Sequence, residues 1–253
     1  MVRAANRAVA LDPNSSETQL AYGMSRNFMW DRPAAQEAFE RALALNPNNV
    51  EALYWQASFL SSQGEIDQAL SLERRISNLE PKDSQSLVRI AWSMNSGGRW
   101  DEAIDHLRGV LEEWPENHLA YWNLAVAYTG KGELEKALTA IHSAIPMMEP
   151  DDLADEYCVL GFLYGKLGRT REAREQLANL DRLGTLGRYI SPVARSLVHL
   201  GLGEHEEAMD LLEEGYRTRA GWMQWAMVGP YWEDLRANPR FMELMRRVRE
   251  GEI

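Results

Sequence analysis

The stretch YWNLAVAYTGKGELEKALTAI, from Tyr121 to Ile141, contains two apolar patterns with helical spacing, separated by a short turn sequence. Each pattern includes a small residue, Ala125 in the first and Ala137 in the second, and Gly132 stands between them. A glycine after a helix adopts the left-handed backbone conformation at little steric cost. Small side chains allow two helices to cross closely. The stretch therefore predicts a pair of antiparallel helices.

The same arrangement recurs along the chain with a fixed spacing. Three series of residues repeat every 34 positions, namely Pro13, Pro47, Pro81 and Pro115, then Ala35, Ala69, Ala103 and Ala137, then Gly64, Gly98 and Gly132. From Gly132 the next steps are 36 and 35 residues, to Gly168 and Gly203. The extra residues fall in two stretches, MMEPDD and LGTLGRY, that read as loops. A period of this length indicates a repeat protein whose units stack on their neighbours.

One further position of the repeat is occupied by small residues in every unit. Its members are Gly23, Ala57, Ala91, Ala125, Gly161 and Ser196. A larger side chain at this position would force the two helices of a unit apart. The series therefore predicts where the helices of each pair cross.

These residues resemble the tetratricopeptide-repeat (TPR) family, whose pattern is W-x2-L-G-x2-Y, then A-x3-F, then P, over 34 residues. The stretch from Tyr121 to Ile141 is close to that pattern, and AFERALALNPNN, from Ala38 to Asn49, matches its end. The resemblance covers about residues 1–217 and implies an all-α, right-handed α-solenoid of antiparallel helix pairs. One departure is Trp30, which stands where the other units have the glycine between helices.

The repeat divides the chain into three parts. Residues 1–15 match the second helix of an incomplete repeat. Residues 16–220 form a TPR solenoid of about six units, starting near positions 16, 50, 84, 118, 154 and 189. Residues 221–253 form a Trp-rich C-terminal capping segment.

The C-terminal part resembles the segment that follows TPR arrays in many bacterial signalling proteins. The matching residues are Trp222, Pro230, Leu235, Arg236, Pro239, Arg240, Phe241 and Leu244. In such proteins the array often accompanies a cyclase, a kinase or a DNA-binding domain. We interpret Trp222, Trp225 and Trp232 as a cap over the last repeat, and the alternative is an aromatic pocket for a partner.

Composition narrows the partners and the location. The formal net charge of -11 disfavours nucleic acid as a partner. No run of about 18 apolar residues occurs, so no membrane association is expected. Cys158 is the single cysteine, which excludes a disulfide within the chain and fits a reducing compartment. We therefore predict a cytoplasmic protein in which Cys158 serves as a packing residue, with a reactive thiol as the alternative. The resemblance of the C-terminal part to bacterial signalling proteins implies a bacterial source.

The sequence contains no motif that supports catalysis. The five histidines form no H-E-x-x-H pattern, and one cysteine cannot form a C-x-x-C zinc motif. Neither a Walker A sequence nor G-x-S-x-G occurs. We predict no catalytic residue, no cofactor and no metal site, and hence no enzyme.

The TPR resemblance implies a concave groove lined by the first helix of each unit. The residues predicted to bind a partner there are Met24, Asn27, Phe28, Tyr54, Ser58, Trp92, Asn95, Trp122, Val126 and Phe162. The fifth repeat position carries no lysine in any unit, which disfavours the clamp with which some TPR proteins hold a C-terminal carboxylate. For the aromatic residues among them, packing between neighbouring units is the alternative.

We predict a non-catalytic protein-protein interaction scaffold that binds a peptide or helix in its concave groove. The expected partner presents apolar side chains flanked by basic residues, and the unpaired N-terminal helix permits weak self-association. Two alternatives remain. One is a regulatory or oligomerisation module of a larger bacterial signalling protein, such as a cyclase, kinase or transcriptional regulator. The other is an isolated array with no native ligand.

Overall fold

The computed structural model describes residues 2–226 and 228–251 of the 253-residue chain. Those residues form helices and turns, with no strand among them, which confirms the prediction of an all-α fold. None of these helices is both long enough and apolar enough to cross a membrane. The α-helices are α1 (Val2–Leu11), α2 (Ser16–Phe28), α3 (Arg32–Leu45), α4 (Val50–Gln63), α5 (Ile66–Leu79), α6 (Ser84–Ser96), α7 (Trp100–Glu113), α8 (His118–Gly130), α9 (Leu134–Ala144), α10 (Ala154–Lys166), α11 (Thr170–Thr185), α12 (Pro192–Gly201), α13 (His205–Arg217) and α14 (Pro239–Glu250).

Polar side chains fix the starts of several helices and also link neighbouring pairs. The side chain of Asn49 accepts a hydrogen bond from the backbone N–H of Ala52 at 3.1 Å, which satisfies a free donor in the first turn of α4. Its Nδ2 donates to the hydroxyl of Ser16, one pair earlier, at 2.8 Å. Asn117 has the same two roles at the start of α8. The cap of one pair is thus bonded to the start of the preceding pair.

The turns inside the pairs have the left-handed backbone expected of glycine. Positive φ angles between 72° and 85° occur at Gly64, Gly98, Gly132, Gly168 and Gly203. Trp30 occupies the corresponding turn between α2 and α3, and its φ is 59°. A bulky residue in this conformation is strained. The turn geometry of the repeat is therefore kept even where the glycine is replaced.

The small-residue series lies at close helix crossings, as predicted. The side chains of Ala57, Ala91 and Ala125 are completely buried. A Cβ added to Gly161 would lie 2.6 Å from a methyl group of Val198, and one added to Gly23 would lie 2.7 Å from the Phe39 ring. Helices α2 to α13 pack as consecutive antiparallel pairs that stack into a solenoid. The number of complete repeat units and their exact boundaries stay predictions.

The two longer connections fall where the sequence has extra residues. Between α9 and α10 the chain makes two 3-10 turns, Ile145–Met147 and Pro150–Asp152. Between α11 and α12 it runs without regular structure over residues 186–191, and α12 begins at Pro192. The sequence predicts loops at MMEPDD and LGTLGRY, and the structure differs at the second, where residues 183–185 continue α11 and only the rest forms the connection.

Helix α1 packs against α2. Ala5 is its buried residue, and Asn6 accepts a hydrogen bond from the Arg26 guanidinium at 2.6 Å. Leu11, at the end of the helix, is 76% exposed. The helix therefore contacts the array through a small apolar face.

After α13 the chain turns back along the array. We call residues 218–226 and 228–251 the C-terminal segment. It contains two 3-10 turns, Gly221–Trp225 and Glu233–Leu235, and then α14. Its far end reaches the turn between α2 and α3, because a Cβ on Gly251 would lie 2.6 Å from the carbonyl oxygen of Trp30.

Trp30 joins the first pair of helices to the last elements of the chain. Its ring is 5.5 Å from that of Tyr216 at the end of α13, centroid to centroid. The Arg219 guanidinium lies 3.2 Å from the sulfur of the neighbouring Met29. The main hydrophobic core therefore runs from Trp30 to Val248, whereas α2 to α4 share a smaller core around Phe39.

Candidate functional site

The first helices of successive pairs form one face of the array, and the C-terminal segment lies on it. Residues from α6, α8, α10 and α12 border a single small cavity together with Trp222, Trp225 and Trp232 of the C-terminal segment. The segment divides this face into an enclosed cavity of about 50 Å³ and an open cavity of about 440 Å³.

Four tryptophans form the contact between the face and the C-terminal segment, and we call them the tryptophan cluster. Trp92 of α6 stacks on Trp122 of α8, with ring centroids 5.5 Å apart and an interplanar angle of 25°. Trp225 meets Trp92 edge to face at 5.2 Å. Trp222 lies 6.4 Å from Trp92 and 6.3 Å from Trp122. The chain's own C-terminal segment thus covers two of the tryptophans predicted to line the groove.

The enclosed cavity lies beneath the tryptophan cluster. Trp122 Nε1 and Asn95 Oδ1 are buried there and have no hydrogen-bond partner among the described residues. Asn95 Nδ2 donates to the backbone carbonyl of Asn123 at 2.9 Å. A volume of about 50 Å³ has room for water but not for a partner's side chain. The C-terminal segment therefore leaves little free space in this part of the face.

The open cavity lies between α4, α6 and the C-terminal segment. Phe28 and Tyr54 each meet Trp55 edge to face, at 6.0 and 5.7 Å. Trp92 borders the cavity as well as the tryptophan cluster. Its remaining lining residues are Ser58, Glu73, Gln85, Val88, Arg89, Leu119, Asn123, Gly221, Trp222, Gln224 and Trp225. The walls are thus aromatic, with a few amides and two charged residues.

Glu73 lies on α5, the second helix of its pair, and is only 2% exposed. Its Oε2 is buried and has no hydrogen-bond partner among the described residues. Burial raises the pKa of the Glu73 carboxyl to about 8, and the positive charge of Arg89 partly opposes that rise. A buried carboxyl group therefore borders a cavity that is open to solvent.

Arg89 is the second charged residue of the open cavity. Its guanidinium lies over the ring of Tyr54, 4.4 Å from the centroid, which is a cation–π geometry. It also pairs with Asp83 at 3.8 Å. The positive charge of Arg89 is thus shared with Tyr54 and Asp83.

The predicted groove residues divide among three places. Those that line the open cavity are Phe28, Tyr54, Ser58 and Trp92. Those that line the enclosed cavity, together with Trp92, are Asn95, Trp122 and Val126. Met24 packs beside the smaller core, Asn27 is buried, and Phe162 is covered by Tyr231 at 5.1 Å between ring centroids. Partner binding by any of these residues stays a prediction.

Sequence reasoning missed Trp55, Glu73 and Arg89 in the open cavity. Glu73 could have been found, because it occupies a repeat position that holds large apolar residues in other units. The interpretation of Trp222 and Trp225 as a cap over the last repeat stays a prediction, and their rings also contact Trp92 of α6, far from that repeat. No local pattern indicates that long-range contact.

The described residues hold no group of three or more His, Cys, Asp or Glu side chains arranged for a metal ion. Cys158 is 6% exposed, and burial raises the pKa of its thiol well above the ordinary value. Its Sγ donates to the backbone carbonyl of Asp155 at 3.0 Å. The thiol is thus held in its protonated form, as a packing residue would be.

Three family models match the sequence. The family described as anaphase-promoting complex, cyclosome, subunit 3 matches residues 33–110. Two tetratricopeptide-repeat families match residues 96–155 and 193–214. The resemblance to tetratricopeptide repeats is confirmed by these matches. No curated protein sequence matches the chain significantly.

Solved structures with the same fold include a chain of the APC/C hetero-tetramer Cut9–Hcn1. It is 19% identical, with a TM-score of 0.62, and the match covers 96% of this chain and 45% of that chain. The present chain thus spans less than half the length of that relative. PilW, a widely conserved type IV pilus biogenesis factor, is 18% identical with a TM-score of 0.56, over 73% of this chain and 88% of PilW. At such identities the likeness shows the fold, which is typical of protein-protein interaction scaffolds.

Proposed function

Because the chain carries tetratricopeptide repeats, we propose that it is a non-catalytic scaffold that binds a segment of a partner protein in the open cavity. The observation that supports this proposal is the aromatic wall of that cavity, formed by Phe28, Tyr54, Trp55 and the partly buried Trp92, and bordered on one side by the C-terminal segment. Phe28 is 43% exposed. Tryptophan and tyrosine are the residue types that most often dominate the energy of an interface.

The position of the C-terminal segment limits the path of the partner. The face beyond Trp122 is occupied by residues of the chain itself, whereas the part formed by α2, α4 and α6 is open. A short peptide or one helical turn of a partner fits a volume of about 440 Å³. We infer that the binding site is the open cavity, at the N-terminal half of the array.

Charge favours a partner with basic residues beside an apolar centre. The net charge of -11 attracts such a segment over several ångströms and speeds its association, and added salt slows it. The same charge makes nucleic acid an unfavourable partner. We expect the partner to be a protein.

Selection from a displayed library of random peptides tests this proposal. We expect peptides with apolar centres to be enriched on the immobilised chain. Trp55→Ala should then weaken the binding of a selected peptide about tenfold or more in calorimetry, because it removes a wall of the cavity. Tyr189→Ala is the matched control, since Tyr189 is 73% exposed and lies outside the cavity. Equal binding by all three proteins would refute the proposal.

The second candidate is a regulatory or oligomerisation module of a larger bacterial signalling protein. It is supported by the resemblance of the C-terminal segment to the endings of arrays in such proteins, and by the way that segment packs into the face of the array. In this case the array would contact another domain or a second copy. Light scattering over a range of concentrations tests self-association, and a constant monomer mass would oppose the oligomerisation form of this candidate.

A further inference from the structure

Glu73 interrupts a series of buried apolar residues. Counted along the repeat, its position is equivalent to five apolar residues, of which Leu177 is half-buried and the others, Phe39, Leu107, Ile141 and Leu212, are completely buried. In those units the side chain belongs to the hydrophobic core. Glu73 places a carboxyl group at the equivalent position, and its side chain is buried as well.

The fold itself provides no partner for this carboxyl group. No described cation lies within 4.0 Å of it, and its buried Oε2 accepts no hydrogen bond from the described residues. Arg89 acts on it through space but pairs with Asp83 and stacks on Tyr54. A buried, unpaired carboxyl group is destabilising. The buried Glu73 carboxylate is stabilised when a cation enters the open cavity and donates a hydrogen bond to it.

Resting on the proposed function, we propose that Glu73 determines the specificity of the open cavity by binding a lysine or arginine side chain of the partner segment. The aromatic rings of Tyr54, Trp55 and Trp92 would enclose the aliphatic part of that side chain. Its charged end would pair with the Glu73 carboxylate.

The walls of the cavity suit a cation. Aromatic faces attract ammonium and guanidinium groups, and Arg89 already lies over Tyr54 in this way. Asp83 balances the charge of Arg89, which lowers its repulsion of a second cation. A lysine or arginine also carries a long apolar stem, which matches an aromatic wall above a buried charge.

Binding of a cation requires the ionised form of Glu73. Because burial raises the pKa of Glu73 to about 8, the group releases a proton when the cation binds near neutral pH. The other titratable groups that line the cavity are Tyr54 of α4 and Arg89 of α6, and Asp83 pairs with Arg89. Affinity for a lysine-containing peptide should therefore rise as the pH increases toward about 8.

The experiment compares peptide selection on the wild-type chain and on Glu73→Leu, from the same displayed random library. Leucine stands at the equivalent position in three other units, as Leu107, Leu177 and Leu212, so this variant keeps an apolar side chain at a position that accepts one. Circular dichroism checks that it is folded. We expect a fixed lysine or arginine position among peptides from the wild-type chain and none among those from Glu73→Leu.

Calorimetry then measures a selected peptide and its lysine-to-norleucine analogue. We expect the analogue to bind the wild-type chain about tenfold more weakly, and to bind Glu73→Leu as well as the parent peptide does. Glu73→Gln keeps the shape of the side chain and should behave like Glu73→Leu in this comparison.

The outcomes separate this inference from the proposed function. Three results would overturn the role of Glu73 and leave the proposed function intact. These are enriched peptides that lack a cationic position, an analogue that loses equal affinity for both proteins, and an affinity that falls as the pH rises. A library that yields no binding peptide on the wild-type chain would overturn both.

Discussion

The buried carboxyl of Glu73 makes the stability of the folded chain depend on pH. The unfolded chain releases this proton near its ordinary pKa of 4.5, whereas the folded chain holds it up to about 8. Protonation therefore stabilises the folded state at low pH, and this contribution is lost as the pH rises from about 4.5 to about 8. Stability should thus decrease over that interval because of Glu73.

We predict that Glu73→Leu raises the free energy of unfolding by about 1–3 kcal/mol, because it removes an unpaired buried polar group. The gain should be larger near pH 8 than near pH 5. Urea denaturation at the two pH values measures it. Glu73→Gln is the control, since it removes the titration but keeps a buried polar group. A gain that is independent of pH would contradict the prediction.

Trp30 combines backbone strain with a large buried surface. Its left-handed φ of 59° costs about 1–2 kcal/mol for a residue with a side chain. Its ring is 5% exposed and packs on Tyr216. Truncating a buried tryptophan typically costs about 3–5 kcal/mol, so the packing outweighs the strain.

We therefore predict that Trp30→Gly destabilises the chain, even though glycine is the residue of this turn in other units. Trp30→Ala loses the same ring but keeps most of the strain, so it should be less stable than Trp30→Gly by about 1 kcal/mol. Urea denaturation of both variants gives the comparison. A Trp30→Gly chain as stable as the wild type would mean that the contact with Tyr216 contributes little.

At the residue scale, the sequence predicts the features that recur with the spacing of the repeat. It places Trp30 in a turn and Ala125 at a crossing, because each belongs to a series with a fixed spacing. It does not predict that Trp30 contacts Tyr216 or that Trp92 contacts Trp225. Those pairs are more than a hundred residues apart, and no local pattern encodes them.

At the scale of helices, close crossings depend on small side chains, both within a pair, as at Gly23 against Phe39 of α3, and between pairs, as at Gly161 against Val198 of α12. Ala125 of α8 is completely buried where the first helix meets its neighbours. We predict that Ala125→Leu destabilises the chain by about 1–3 kcal/mol, because the added atoms must force the helices apart. Thermal melting followed by circular dichroism measures the effect.

Gly109 provides the matched control for Ala125→Leu. It lies in the exposed part of α7, and a Cβ at this position would meet no atom within 4 Å. Gly109→Ala should therefore stabilise the chain by about 0.5–1 kcal/mol. If Ala125→Leu melts at the wild-type temperature while Gly109→Ala shows its gain, the assigned crossing is wrong.

The helices were largely predictable because the signals that start and end them are local. Prolines, glycines and capping residues recur with the period of the repeat, and the two loops lie where that period changes. The C-terminal segment lacks a repeat pattern. Its two 3-10 turns are determined by contacts with the array, which explains why sequence reasoning described it only as a cap.

At the scale of the whole molecule, the C-terminal segment connects distant parts of the array. It contacts α6 and α8 through the tryptophan cluster, and its last residue reaches Trp30 in the first helix pair. A repeat array on its own contains contacts between neighbouring units only. The long-range contacts therefore make the array more cooperative, and they decide which part of the face stays open to a partner.

The tryptophan cluster should hold the C-terminal segment in place. Trp225 contributes the shortest ring contact to the array in this cluster, at 5.2 Å from Trp92. We predict that Trp225→Ala releases the segment while leaving the helix pairs folded. Trypsin should then cleave after Arg219 or Arg236 about tenfold faster, because cleavage requires local opening of the chain. The Arg219 side chain is otherwise held against Met29.

Trp114→Ala is the control for this last prediction, because Trp114 is a half-buried tryptophan at the end of α7 and outside the tryptophan cluster. Both variants lose an indole ring, but only Trp225→Ala removes a contact between the array and the segment. Far-UV circular dichroism should show the helix content of both proteins unchanged. Equal cleavage rates in the two variants would mean that the segment is held elsewhere, through α14 and Trp30. A loss of helix content in Trp225→Ala would instead mean that the array cannot stay folded without the segment.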